Sequence, residues 1–319
     1  MAYQTGDTIL DTHYNDFATS VNTMWGAGTG VRGLGQSTTV STVSDGTTIT
    51  AAQWTTLLGR CRSISDHQAN DGNITIDTLT DPTTGDQIEA FGALSTDIGT
   101  LDTSAALATG TGSGFGSATQ NIVNASGTFT GVVTQASTLT FAGGNEARYF
   151  FNSGGKVEVS WTVTGGTSDS KYDNWVALAT ACGTYQIFAN TSGKTGGSGT
   201  ATTNNTNYGY FDQTTSAVVA FKQFEDTAPY TASYIQLSLN VNATDATDGL
   251  GNNGTVMTVK SEMVDAAADQ TAYNKNIYNV LDQVDGTKRT TFSFTPSATT
   301  YITATWGTPS WATTTNTET

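Results

Sequence analysis

The chain has 319 residues, 35 of them glycine and about one in five threonine, with only 12% charged side chains. Its formal net charge of −15 argues against nucleic acid as a main partner, because neutralising phosphates needs Lys and Arg, and none occurs between Arg62 and Arg148. Two histidines, His13 and His67, and two cysteines, Cys61 and Cys182, leave little material for catalysis, while 13 Phe, 12 Tyr and 6 Trp supply the area of a folded core and argue against disorder.

In residues 9–25, Ile9, Tyr14, Phe17, Val21 and Met24 recur at mixed three- to five-residue spacing. This predicts an amphipathic helix capped by Asp7 or Asp11 and stopped by Gly26. A Gly-rich loop runs from Gly26 to Gln36. Thr50-Ala51-Ala52-Gln53 then reads as a capping box opening a second helix, with Trp54, Leu57, Leu58, Cys61 and Ile64 on one face. Residues 1–72 are thus expected to form a small N-terminal helical module.

Residues 85–108 carry a third helical signal in Ile88, Phe91, Leu94, Ile98 and Leu101, continued by Ala105 and Ala108. The near-heptad spacing suits either a short coiled coil on a symmetry axis or an ordinary helix packed on its own domain, and Gly92 and Gly99 weaken both. Residues 108–131 have little periodicity and read as a linker, so residues 73–136 are expected to be a helical and Gly/Ser/Thr-rich connector.

Beyond residue 137 the period switches to two, as in Val157, Val159, Trp161, Val163 and in Ile235, Leu237, Leu239, Val241. Further runs are Ala217 to Phe221, Met257 with Val259, Phe292 with Phe294, and Ile302, Ala304, Trp306. Turn signals separate them, which predicts an antiparallel β-sandwich over residues 137–319. One inserted helix is expected from about Ser168 to Cys182, with Tyr172, Trp175, Leu178 and Ala179 on one side and Gly183 as its stop. The expected fold class is α+β.

Candidate chemistry is sparse. Neither His13 nor His67 has an acid or cysteine at metal-ligand spacing, so helix-surface or module-interface roles are expected, and no metal or cofactor. Asp245 to Gly254 is rich in oxygen ligands but lacks the EF-hand spacing and its terminal Glu, and reads as a connecting loop. Glu158, Glu225, Glu262, Asp265 and Asp282 show no pairing in sequence that would suit glycan cleavage. Cys61 and Cys182 are expected to be buried, reduced thiols. No stretch approaches a membrane span or an export signal, so synthesis in a cytoplasm is expected, with no membrane partner.

Tyr208, Tyr210 and Phe211 sit among Gly, Thr and Asn, where exposed rings would mark a contact with a neighbouring subunit or a host glycan. Tyr14, Phe17, Trp25, Trp54, Leu57, Ile88, Phe91, Ile98 and Leu101 are the corresponding candidates for an assembly interface in the helical part.

Several segments resemble structural proteins of tailed bacteriophages, in particular virion proteins of marine cyanophages. They are Tyr14-Asn15-Asp16-Phe17 leading to Met24-Trp25-Gly26 and Gly33-Leu34-Gly35-Gln36, then Ile49 to Leu57 through His67-Gln68. Glu146 to Gly155, running into the strand that holds Trp161, is the third, and Val284-Asp285-Gly286-Thr287 with Trp306-Gly307-Thr308-Pro309 is the last. The resemblance implies a virion component of the neck, collar, fibre or tail type and brings no active site. The expected function is therefore a non-enzymatic structural subunit made in a bacterial cytoplasm and placed in the virion. It would be homo-oligomeric, with a trimer favoured, and would bind other virion proteins through the N-terminal module while the sandwich projects. Removing residues 1–72 should then leave a folded sandwich. A host-glycan-binding fibre protein and a capsid decoration protein are the alternatives, followed by a depolymerase.

Overall fold

The structure, a computed structural model, describes residues 10–68, 74–84, 91–105, 114–244, 253–269, 271–274 and 277–319, with backbone alone at 91, 105, 271–274 and 277–281. Helices α1 (Asp11–Trp25), α2 (Ala51–Gln68) and α3 (Phe91–Ala105) come first. They are followed by β1 (Thr119–Ser126), β2 (Val132–Thr140), α4 (Gly144–Asn152), β3 (Lys156–Thr164) and α5 (Ser170–Cys182). Next come β4 (Thr184–Ile187), β5 (Ser192–Thr195), β6 (Thr203–Asn204), β7 (Val218–Phe224), β8 (Tyr234–Val241) and β9 (Val256–Val264). Last are β10 (Thr271–Asn274), β11 (Ile277–Leu281), β12 (Thr287–Thr295) and β13 (Ser310–Glu318). The α+β class is as expected.

The three N-terminal helices pack on one another as a layer. α1 buries Tyr14, Phe17, Ala18, Val21, Met24 and Trp25, and Leu10, not an Asp, occupies its N-cap position. Asn15 and Asn22, seven residues apart on α1, use their side-chain amides as a ladder. Each donates to and accepts from one backbone unit of the following segment, Asn15 at Val43 (2.9 and 2.8 Å) and Asn22 at Val40 (2.8 and 2.7 Å). Val40 and Val43, in the extended segment between α1 and α2, thereby satisfy their polar backbone through side chains. α2 opens on the expected capping box: the Thr50 N–H donates to Gln53 Oε1 at 2.8 Å, and the Gln53 N–H to Thr50 Oγ1 at 3.3 Å. α3 contributes Leu94, Ile98 and Leu101 to the same core.

Two antiparallel sheets face each other, in strand orders β1-β12-β3-β4-β5 and β13-β2-β9-β8-β7-β6. Their inner faces carry the alternating residues read from sequence, and Trp161 shows how the layers lock. Its ring stacks on Phe221 across the core (centroids 5.4 Å apart), and its indole N–H donates to Ser261 Oγ on β9 at 2.7 Å. A buried indole usually gives its N–H such a partner. α5 lies against β3, β7 and β8 with Trp175 and Leu178 buried, and Gly183 ends it with φ of +63°.

Several sequence expectations need correction. β1 lies in the stretch 108–131 expected to be irregular, and β2 starts within the expected connector 73–136, so the strands begin before residue 137. A second helix, α4, is inserted between β2 and β3. The alternation of Ile302, Ala304 and Trp306 is not a strand. That segment is a loop in which Ile302 and Trp306 are buried and Ala304 is exposed, and the strand follows at 310–318.

Candidate functional site

The residues expected to form contacts turn out to be spent inside the chain. Tyr14, Phe17, Trp25, Trp54, Leu57, Ile98 and Leu101 are all at most 5% exposed, so their side chains hold the helical layer together, and of them only Phe17 and Ile98 reach the floor of a surface groove. Ile88 lies outside the described residues, as does the side chain of Phe91. Tyr208, Tyr210 and Phe211 are buried too, which removes the exposed aromatic patch. Tyr210 stacks on Phe151 of α4 with centroids 4.3 Å apart and donates its hydroxyl hydrogen to the Gly254 carbonyl at 2.8 Å. A polar neighbourhood in sequence had concealed a packing partner some sixty residues away.

α4 is the keystone between the helical layer and the sandwich. Every residue from Ala147 to Asn152 is buried. Phe150 and Phe151 face the sandwich side, against Phe141, Phe294 and Tyr210. Arg148 and Asn152 instead reach the Gly-rich loop. Asn152 Nδ2 donates to the carbonyls of Gly30 (3.0 Å), Arg32 (3.1 Å) and Gly33 (3.1 Å), and Arg148 Nη2 to those of Ala27 (2.6 Å) and Gly28 (3.2 Å). The loop can present these carbonyls because its glycines adopt positive φ. At Gly33, φ is +101° and a Cβ would collide with the Ala27 carbonyl.

His67, at the end of α2, completes this seam. It is 2% exposed, and its Nε2–H donates to the Ser153 carbonyl at 2.9 Å, while Nδ1 is buried without a partner. Burial pulls its pKa down from 6.5 to about 4, against the smaller upward pull of that hydrogen bond. Of the two roles expected for His67, helix surface or module interface, its burial against Ser153 matches the second. Gln36 ties the same layer to the loop after β12, with Nε2 donating to Thr303 O at 2.9 Å and Oε1 accepting from Thr303 N at 3.0 Å.

The sandwich seals its two sides with side chains. On one side Trp311 Nε1 of β13 donates to Thr119 O (3.3 Å) and Asn316 Nδ2 to Asn124 O (2.7 Å), so edge carbonyls of β1 are taken. On the other, Ser192 N donates to Thr206 O (3.1 Å) and Lys194 N to Asn204 Oδ1 (3.0 Å), bridging the short edges β5 and β6. Blunted edges of this kind disfavour strand-to-strand pairing with another chain.

Two open grooves lie instead on the helical layer. One, of about 480 Å³, runs between α1 (Asp16, Phe17, Ser20, Thr23) and α3 (Ser95, Ile98, Gly99, Asp102), with Arg32 at its side. Arg32 forms a two-pronged ion pair with Asp102, Nη2 reaching Oδ2 at 2.7 Å, and both side chains are about a third exposed. The other, of about 500 Å³, is lined by Leu10, Asp11, Asp45, Gly46, Thr47, Thr48 and Ile49, and Leu10 is 48% exposed. The spacing of the first lining set on each helix, 16-17-20-23 and 95-98-99-102, is that of one helical face.

The ionisable residues singled out from sequence have internal partners. Glu158 accepts from Lys156 Nζ (2.8 Å) and Gln186 Nε2 (2.7 Å), Glu225 from the N–H groups of Asp226 and Thr227 (3.2 and 3.1 Å), and Glu262 from Lys260 Nζ (2.6 Å). Asp282 accepts from the Tyr230 hydroxyl. Lys288 is fully buried against Glu318 (2.7 Å) and the Gly127 carbonyl (2.5 Å). Asp265 pairs with Lys171, a contact sequence reasoning missed because the two stand nearly a hundred positions apart. Cys61 and Cys182 are free, buried thiols, each pushed up to about 12 mainly by burial. Among the described residues no group of His, Cys, Asp and Glu is arranged to hold a metal ion. Residues 245–252 of the oxygen-rich loop lie outside the described residues. No helix of the described residues is long and apolar enough to cross a membrane.

Comparison with known proteins finds no matching family model, curated protein or solved structure.

Proposed function

We propose that this chain is a non-enzymatic structural subunit of a bacteriophage virion, homo-oligomeric and part of the neck, tail or fibre apparatus, docked through its helical layer. The observation that carries the reading is the division of surface between the two layers. The two large grooves, with half-exposed Leu10 and the Arg32–Asp102 pair, belong to the helices, whereas the sandwich has its strand edges blunted by hydrogen bonds and exposes large apolar side chains singly, at Phe115, Ile122, Val219 and Tyr301. The two fully buried lysines, Lys171 and Lys288, are paired with carboxylates within the chain. That arrangement serves shape and contact area, and the segmental resemblance to tailed-phage virion proteins points the same way.

The helical layer is also tied to the sandwich through α4. Quantitative mass spectrometry of purified particles tests the proposal. The full chain should co-purify with the particle at a fixed ratio to the other virion proteins, and its recovery only in the soluble lysate would overturn the reading. Light scattering on the isolated chain should give a multiple of the monomer mass, three being the favoured number.

A further inference from the structure

We propose that Lys171 and Asp265 condense into an intramolecular amide, a covalent tie between α5 and the residue after β9, with Asp269 carrying the proton and Ser233 steadying the carbonyl oxygen. The cluster forms where the first turn of α5 meets the residue before β8 and the segment after β9. Lys171 and Asp265 each have side chains 1% exposed, and Nζ stands 2.8 Å from Asp265 Oδ2. Near-attack arrangements hold reacting atoms about 3–3.5 Å apart, and the carbonyl carbon lies one bond beyond that oxygen. Nζ also donates to the Ala267 carbonyl at 3.1 Å and contacts Asp269, which is 24% exposed.

The polar groups around the pair are placed for the reaction. Ser233 Oγ accepts from the Ala267 N–H at 3.3 Å, which turns its own hydrogen toward Asp265 Oδ1, 3.1 Å away. Negative charge builds on Oδ1 as nitrogen adds to the carbon, so the hydroxyl donates where stabilisation is needed. Two carboxylates share one ammonium here. Burial accordingly raises the pKa of Asp265 despite Lys171, and both aspartates hold the Lys171 proton in spite of its own burial. Water is largely excluded, which favours condensation over hydrolysis.

The step balances without any further reactant. Asp269 takes one proton from the ammonium and frees the nitrogen lone pair, which attacks the Asp265 carbon. The proton passes to Oδ2, a second follows from the tetrahedral nitrogen, and Oδ2 leaves as water. The third hydrogen stays on the amide and keeps its bond to the Ala267 carbonyl. The cluster carries one net negative charge before and after, now on Asp269.

The inference does not depend on the virion reading. Its test is intact-mass spectrometry of the full chain, purified folded and then denatured, followed by proteolysis and fragment sequencing. The expected mass is about 18 Da, one water, below that of the sequence, with a branched peptide joining Lys171 to Asp265. The unreduced mass, or a branch to Asp269, would overturn the proposal. In an Asp269→Asn variant whose circular dichroism matches the parent, the deficit should disappear, and a deficit that persists in full would overturn the role of Asp269.

Discussion

His67 gives the sharpest quantitative test of how the helical layer is held. The neutral imidazole donates from Nε2 to the Ser153 carbonyl, and protonation would place a second hydrogen on buried, unpartnered Nδ1. Its pKa falls from 6.5 to about 4 on folding, so the unfolded chain takes up the proton first. The sign follows: the contribution is fully present above the unfolded value of 6.5 and is lost as the pH falls through 4. By linkage this costs about 2 kcal/mol at pH 5 and about 3 kcal/mol at pH 4. Burial raises the carboxyls of Asp212, Glu225 and Asp265, which pull the whole-protein profile the other way, so the comparison must be made by difference. His67→Gln keeps an N–H donor for Ser153 and cannot titrate in this range. Urea unfolding followed by tryptophan fluorescence at about pH 7 and pH 5 should show the parent losing about 2 kcal/mol relative to the variant. Parallel profiles for the two proteins would refute the seam geometry.

Three other substitutions probe separate parts of the account. Asn152→Asp replaces the amide that serves three loop carbonyls with an acceptor-only group, and should cost about 3 kcal/mol or more by urea unfolding. Tyr210→Phe keeps the stack on Phe151 and loses the bond to the Gly254 carbonyl, an expected loss of about 1–2 kcal/mol. An exposed pair such as Arg32–Asp102 contributes less than about 1 kcal/mol to folding, so Arg32→Ala should leave the melting curve nearly unchanged. The same variant should be depleted from particles if the α1–α3 groove is the docking site, and unchanged incorporation would exclude that groove.

The docking of the layers also revises what truncation would do. Removing residues 1–72 would strip Arg148, Asn152 and Ser153 of partners and uncover the buried face of α4. The remaining sandwich is then expected to be destabilised, where the sequence alone suggested an independent domain. Dye binding to exposed apolar surface in the truncated chain is the corresponding readout.

Which elements were legible follows from how local their signals are. β3 and β8 alternate buried and half-exposed side chains along their length, so period two is written in consecutive residues. The Thr50–Gln53 box is equally local. α4 is not, because burial from Ala147 to Asn152 erases any polar face, and Tyr149-Phe150-Phe151 has strand-like composition. β1 escaped because it buries only Val123 and Ala125, and β13 because its threonines are mostly exposed at a sheet edge. The loop at 301–306 imitated a strand by alternating, though Gln36 is what holds it. Side-chain exposure was the least legible property. Tyr208, Tyr210 and Phe211 meet their partners only through tertiary packing, and the pairing of Lys171 with Asp265 has no trace in either local segment.

Imaging of the intact particle by electron cryo-microscopy bears most directly on the central claim. The account predicts density for this fold at symmetry-related positions in the neck, tail or fibres, with the α1–α3 face turned toward the neighbouring virion protein and the sandwich outward. Particles complete without such density, or density in which the sandwich faces inward and the helices point to solvent, would contradict it.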